Sequence, residues 1–378
     1  MPELIYLDHN ATTPLDVHVF ESMRPYFLQH YGNAASRHHE LGRTAAAAVD
    51  AARESVAVVI HADSREIYWT SGATESNNIA LRGIAASPAY SNRRHIVTVR
   101  TEHPSVLDPC RYLEEQGFEV TYLSVDQSGR LDLSQIDACI REDTLVVSVM
   151  HANNEIGVLH PIGDIGRICR ERGTLFHTDA VQSFGKESID VEAACIDLLS
   201  FSGHKIYGPK GVGGLFVRRR GPRVRCEPLM HGGGHERGLR SGTLNVPGIV
   251  GLGAAASRCL EEDPALERER LGAMRDRLEQ GLVAGAGVLV NGADAPRLAG
   301  TLNISFPGID AEELIARLPG LAVSTASACT SASRQPSYVL GALGFDDDRV
   351  RGSLRLSVGR FTTERAVDTA LRLLLAAV

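Results

Sequence analysis

From Ile67 onward the chain alternates short apolar runs with longer helical ones, and nothing else narrows its possible folds as much. Strands are expected at Ile67–Thr70, His95–Val99, Glu119–Leu123, Thr144–Val149, Thr174–His177, Asp197–Phe201 and Gly214–Val217. Helical spacing fills most of the intervals, as in Asn77–Ala85, Val106–Gln116 and Ile162–Arg172. Gly117 and Gly173 follow two of those helix ends, where a cap belongs. Strands that alternate with helices pair in parallel, so the reading is an α/β fold with a mainly parallel sheet. No repeat of solenoid length and no linker tract interrupts it.

The flanks read differently. Leu4–Leu7 is a short strand, Asp8–Pro14 a polar loop, and Asp16–Tyr31 a helix that Pro25 can kink. Gly32–His39 interrupts before the Ala-rich helix Leu41–Ile60. Late in the chain, Glu261–Gln280 reads as a long solvated helix. Strand-like Thr301–Phe306 and Ser353–Ser357 then mix with helical Ala311–Leu318, which points to a smaller α+β domain. At 378 residues the chain can bury a sizeable core and form about two domains. A net charge of −7 gives no pull towards nucleic acid or anionic membrane. Seven cysteines, odd in number and never in C-x-x-C, argue against a disulfide framework or structural zinc. The N-terminus shows no signal peptide and no run is long enough to span a membrane, so a cytoplasmic location is expected.

Three stretches carry chemistry. Ser200-Phe201-Ser202-Gly203-His204-Lys205 follows a buried strand with a tight turn, and strand ends of open α/β sheets are where ligands bind. A desolvated lysine there is a nucleophile towards carbonyls, although a solvated loop lysine is the ordinary alternative. Thr174–Gln182 is a strand-like run that reaches Asp179, one strand–crossover–strand unit before Lys205. Tyr68-Trp69-Thr70 leads into Ser71-Gly72-Ala73-Thr74, where a turn and small hydroxyl residues open a helix fit to hold phosphate. Pyridoxal phosphate needs a lysine amine, an acid facing its ring nitrogen and a phosphate cup.

With these and other segments in order, the chain resembles the cysteine desulfurases, pyridoxal phosphate enzymes of the class-V aminotransferases. The matching stretches are Tyr6–Pro14, Thr70–Asn78, Glu102-His103-Pro104, Met150–Gly157, His177–Gln182, Ser200–Gly211, His231–Thr243, Ser327–Ser333 and Leu354–Thr363. They span nearly the whole chain. Gly232–Arg237 and Ala328–Ser333 bring it nearest the housekeeping iron–sulfur-cluster branch. The family usually has Pro at Ala34 and Ser-Gly at Thr325-Ala326, so this chain departs there. The resemblance implies the pyridoxal phosphate-dependent transferase fold, aminotransferase fold type I. It implies a large domain over residues 15–255 and a small one over 1–14 and 256–378, to which the N-terminal strand returns.

The resemblance also assigns roles. Lys205 carries pyridoxal 5'-phosphate, Asp179 faces the ring nitrogen, and His103 stacks on the ring and can move protons. Ala73, Thr74, Ser202 and His204 form the phosphate cup, with Thr243 reaching it from the second subunit of a homodimer. Gln182 bonds the phenolic oxygen, and Asn154 contacts both cofactor and substrate. Arg355 alternates with Leu354 and Leu356, so its side chain points away from theirs. Its planar guanidinium suits the substrate carboxylate, an exposed edge-strand charge being the alternative. Cys329 lies in the small-residue run Ser324–Ser333, where a thiol can be accessible, whereas Cys110, Cys169 and Cys259 sit in apolar contexts.

The expected activity is removal of sulfur from L-cysteine, giving alanine and a Cys329 persulfide for a protein acceptor. Either Lys205 or His103 is the base that takes the α-proton. The acceptor belongs to iron–sulfur assembly, tRNA thiolation or DNA sulfur modification. A housekeeping desulfurase continues past Val378 with a scaffold-docking tail, so weak scaffold binding is expected here. The rival activities are a selenocysteine lyase or another pyridoxal phosphate lyase. A silent sulfur-relay scaffold is the rival of another class. No metal and no direct nucleic-acid contact are expected.

Overall fold

The computed structural model describes residues 4–261, 263–325 and 336–378. Its strands are β1 (Ile5–Tyr6), β2 (Ile67–Thr70), β3 (His95–Val99), β4 (Glu119–Leu123), β5 (Thr144–Ser148), β6 (Leu175–Asp179), β7 (Leu198–Ser202) and β8 (Gly213–Val217). After these come β9 (Leu289–Val290), β10 (Thr301–Ser305), β11 (Leu321–Ala322), β12 (Ser324–Thr325) and β13 (Ser353–Ser357). Among the described residues, β2 to β8 form one sheet in the order β2-β8-β7-β6-β5-β3-β4. Only β8 runs against the others. The mainly parallel sheet expected from the alternation is therefore present, and β2, β3, β5, β6 and β7 all end at one edge.

Helices cover both faces, which is why β3 and β5 to β8 are buried throughout. Alternate residues divide between two cores. Val97, Val147, Phe176, Phe201 and Phe216 pack with helices 40–59, 162–171 and 246–261 on one face. Ile96, Leu145, Leu175, Leu198 and Leu215 pack with helices 73–85 and 104–115 on the other. Gly214 has a steric reason to be glycine: a Cβ there would lie 2.2 Å from the Phe201 ring.

A second sheet, β12-β13-β10-β9, is antiparallel. Helices Pro264–Ala286 and Glu364–Ala377 share a separate core with it, built on Leu278, Leu282, Leu302, Ile304, Leu354, Leu356 and Leu374. Leu7 joins that core, and β1 pairs in parallel with β11. No helix among the described residues is long and apolar enough to cross a membrane.

Three local expectations change. The helix expected from Asn77 begins at Ala73, because Gly72 takes φ +151° and turns the chain directly from β2 into the first helical residue. Asp16–Tyr31 forms two helices, Val17–Met23 and Pro25–Leu28, split where Pro25 has no N–H to continue the first. The helix expected over Glu261–Gln280 runs Pro264–Ala286, with Asp263 accepting from the Ala265 N–H as its cap.

Candidate active site

The common strand edge opens into a cavity of about 490 Å³. Ala73, Thr74, His103, Asn154, Asp179, Gln182, Ser202, His204 and Lys205 all line it. Thr74 and Lys205 are 131 residues apart in the chain, yet each of these residues lies at or beyond the end of a sheet strand. Parallel strands deliver every such loop to one side, so fold topology alone gathers them.

On the β2 side, no side chain caps helix Ala73–Ala85, so its first-turn N–H groups are available. Opposite them, Ser202 ends β7 and a short turn, Gly203–Lys205, aims His204 and Lys205 into the same space. The His204 Nδ1 lies 3.1 Å from the Thr12 hydroxyl. Burial, assisted by the positive charges of Lys205, Lys210 and Lys186, pushes the His204 pKa down to about 4. His204 is therefore a neutral hydrogen-bonding group near neutral pH.

The Lys205 ammonium donates to the main-chain carbonyls of Asn10 and Ala11, the latter at 2.7 Å. The Asp8–Pro14 loop thus lines the cavity and supplies two of the lysine's partners. Asn10 is its hub. Its amide donates to the Thr301 hydroxyl at 2.9 Å and to the Asn154 carbonyl, and its own carbonyl accepts from Gln182.

Asp179 is 5% exposed and accepts at both oxygens, from the Val181 N–H at 2.9 Å and from the Asn77 amide at 2.7 Å. His103 caps helix Pro104–Glu115, its Nδ1 accepting from the Ser105 N–H at 3.1 Å. Buried Asn154 Oδ1 and Gln182 Oε1 have no hydrogen-bond partner among the described residues. Polar atoms are rarely buried unsatisfied, so two of them in one cavity mark a place for a polar ligand. A helix N-terminus for phosphate, an acid for a ring nitrogen, a lysine and two unsatisfied amide oxygens together fit pyridoxal phosphate.

Two residues assigned to the site do not line this cavity. Thr243 is exposed. Arg355 is 1% exposed, so it is not an edge-strand surface charge. Its guanidinium donates to Asp8 at 2.8 Å and to the Asn154 carbonyl at 2.9 Å, and its Nε has no partner. An internal carboxylate already sits on it, held also by the Ser324 hydroxyl at 2.7 Å. Cys329 lies outside the described residues. Cys110, Cys169 and Cys259 are buried, and burial pushes the Cys110 thiol up to about 12 and that of Cys259 to about 11. Neither is primed as a nucleophile.

Sequence reasoning missed Asn10, Asn77, Ser105, Glu102 and Glu155. All but Ser105 lay inside the matching stretches, but nothing in those stretches showed what they bond. Glu102 is wholly buried, and burial together with the charge of Asp179 raises its pKa well above the ordinary carboxyl range. Glu155 is also buried and accepts from the Ser337 hydroxyl at 2.5 Å. Burial lifts its pKa to about 7, against the opposing effects of Ser337 and Arg355.

A raised carboxyl pKa means that the folded state prefers the proton. The stability this confers is full below the unfolded carboxyl range and is lost as pH rises through about 7. Glu155→Gln, which cannot ionise, is expected to gain on the parent between pH 5 and pH 8.5 by on the order of 3 kcal/mol. Urea unfolding at the two pH values checks this, and a pH-independent difference would rule it out.

The aminotransferase class-V family model matches residues 5–370. A cysteine desulfurase, IscS, of Anaeromyxobacter sp. (strain Fw109-5) is 56% identical over 370 residues, covering 98% of this chain and 91% of its own. Among solved structures, a NifS-like protein matches with TM-score 0.90 and 38% identity, covering 99% of this chain and 98% of its own. The structure of SspA in complex with cysteine matches with TM-score 0.82 and 37% identity, covering 95% of this chain and 99% of its own. The family match, from residue 5 to 370, spans every strand and every residue that lines the cavity.

Proposed function

The chain belongs to the class-V aminotransferases and, among them, to the cysteine desulfurases, and from that premise we propose how its residues divide the work. The overall change converts L-cysteine and the Cys329 thiol into L-alanine and a Cys329 persulfide. The carbon–sulfur bond of the substrate breaks and a sulfur–sulfur bond forms, so no outside oxidant is needed. Pyridoxal phosphate, when bound, supplies an electron sink next to the substrate's α-carbon.

Lys205 would hold that group covalently, and Asp179 would face its ring nitrogen. Ala73, Thr74, Ser202 and His204 would hold its phosphate, and Gln182 and Asn154 would meet its phenolic side. The observation that carries this reading is the convergence of Lys205, Asp179 and the uncapped start of helix 73–85 in one cavity. Arg355 orients the substrate carboxylate, which must share or replace the hold that Asp8 has on it. Thr243 serves the phosphate of the partner subunit in a homodimer, supported by its exposure outside the cavity of its own chain. Sedimentation at twice the 40.7 kDa chain mass is the check. Within each chain the two cores support a large domain over 15–255 and a small one over 1–14 with 256–378. The acceptor of the persulfide is a protein, and the setting is cytoplasmic, consistent with scattered unpaired cysteines.

The purified protein with pyridoxal phosphate is expected to release alanine from L-cysteine. Cys329→Ser is expected to bind cysteine and give no alanine above background. An active Cys329→Ser alongside an inactive Cys110→Ser or Cys169→Ser would overturn the assignment. Turnover of selenocysteine far above that of cysteine would favour the lyase.

A further inference from the structure

Asn77 is wholly buried, and its single NH2 group makes two hydrogen bonds. One runs to Asp179 Oδ2 at 2.7 Å, the other to the Ser105 hydroxyl oxygen at 2.8 Å. Turning the amide over would set its oxygen against the Asp179 carboxylate, so the orientation is determined. The Ser105 oxygen, accepting from Asn77, has its own O–H left to give. Nδ1 of His103 lies 2.8 Å away. The Ser105 backbone N–H, which cannot rotate, donates to the same nitrogen at 3.1 Å. Two donors therefore converge on Nδ1, and a nitrogen that accepts carries no proton.

We propose that Asn77 and Ser105 are positioning residues that hold His103 as a neutral ring with its one proton on Nε2, so that His103 offers the cavity a donor and Lys205 alone is left as the base. The assignment rests on the functional reading above for the identity of the reaction, but the state of the ring stands on geometry. Forming the imidazolium would require Nδ1 to become a donor facing a fixed N–H. Taking a proton at Nε2 is blocked because that nitrogen already holds one. Burial disfavours the charged ring, as does the Lys205 cation, while Asp179 and Asp108 act the other way. The two acids do not alter which nitrogen is occupied. The same amide ties the acid for the ring nitrogen to the histidine over the ring, so one buried side chain sets both.

The test is ring-nitrogen NMR of the holoenzyme labelled with [15N]histidine, the His103 signal being the one absent from His103→Gln. The parent is expected to show a bare Nδ1 and a protonated Nε2, unchanged from pH 8 down to about pH 5. Ser105→Ala, which keeps the capping N–H but loses the hydroxyl donor, and Asn77→Ala, which frees that hydroxyl to turn away, are expected to leave Nδ1 bare in the neutral ring and to raise the titration midpoint by about one unit. The acid limb of kcat/KM for cysteine should move with it, and Ser105→Thr should restore both. A protonated Nδ1 in the parent, or a His103 signal indifferent to Ser105→Ala, would overturn the proposal. A ring that behaves as expected in a protein without cysteine turnover would instead fault the functional reading.

Discussion

Lys205→Ala is expected to lower cysteine turnover by at least about a thousandfold, the general-base share alone being about 10²–10⁴. The variant loses a second contribution, because the only amine on the Gly203–Lys205 turn is the one that attaches the cofactor. Nothing else at the strand edge can replace it: Lys210 lines the same cavity but follows four residues of backbone that lead away from β7. The fold should survive. Two of the lysine's partners are main-chain carbonyls, and ordinary hydrogen bonds contribute on the order of 1 kcal/mol each. The checks are alanine release and the absorbance of the bound cofactor, with melting as a control. A variant that keeps the parent's turnover would remove Lys205 from the mechanism.

The largest effect on stability is expected from Glu236. This residue sits in the Gly-rich His231–Thr243 stretch with φ +47°, followed by Arg237 at +56°. Both are strained for residues with a side chain, so something holds them. The Glu236 carboxylate meets Arg53 in a two-pronged pair, both contacts at 2.8 Å, and both residues are 7% exposed. It also accepts the Trp69 N–H at 2.8 Å. Trp69 belongs to β2, an edge strand, so that N–H has no strand to bond.

Removing the carboxylate leaves a buried guanidinium uncompensated, which costs about 3–5 kcal/mol. It also orphans a strand amide four residues before the Ala73 start of the phosphate cup. Glu236→Ala should therefore unfold at markedly lower urea and bind cofactor more weakly. Arg53→Met with Glu236→Leu should recover much of the loss, because neither charge then remains buried alone. A destabilisation below about 1 kcal/mol, near the value of an exposed ion pair, would show the pair to be inert.

Much of this protein was determined by its sequence alone. Strand runs bounded by Gly and Ser set the parallel sheet, and a parallel sheet has one carboxyl edge. Asp179 and Lys205 close adjacent strands β6 and β7, so their meeting followed from order and spacing. Even the crossover between them needed no regular helix: residues 180–197 pass in turns. Burial of Cys110, Cys169 and Cys259 was legible in the same way, from apolar neighbours at helical spacing.

What the tertiary structure decided were the side-chain partners. Arg53 meets Glu236 across 183 residues, Arg355 meets Asp8 across 347, and Asn77 spans the gap from Asp179 to Ser105. Periodicity says which face a residue occupies and nothing about which distant polar group arrives opposite it. That depends on how helices settle on the sheet and on where the N-terminal loop crosses. Arg355 shows the difference: strand alternation correctly turned it away from Leu354 and Leu356, yet only packing showed a wholly buried guanidinium already holding a carboxylate. The physical reason is range. Backbone preference and hydrophobic period act over a few residues, whereas desolvation and hydrogen-bond pairing in a core are set by neighbours that the chain brings together only when folded.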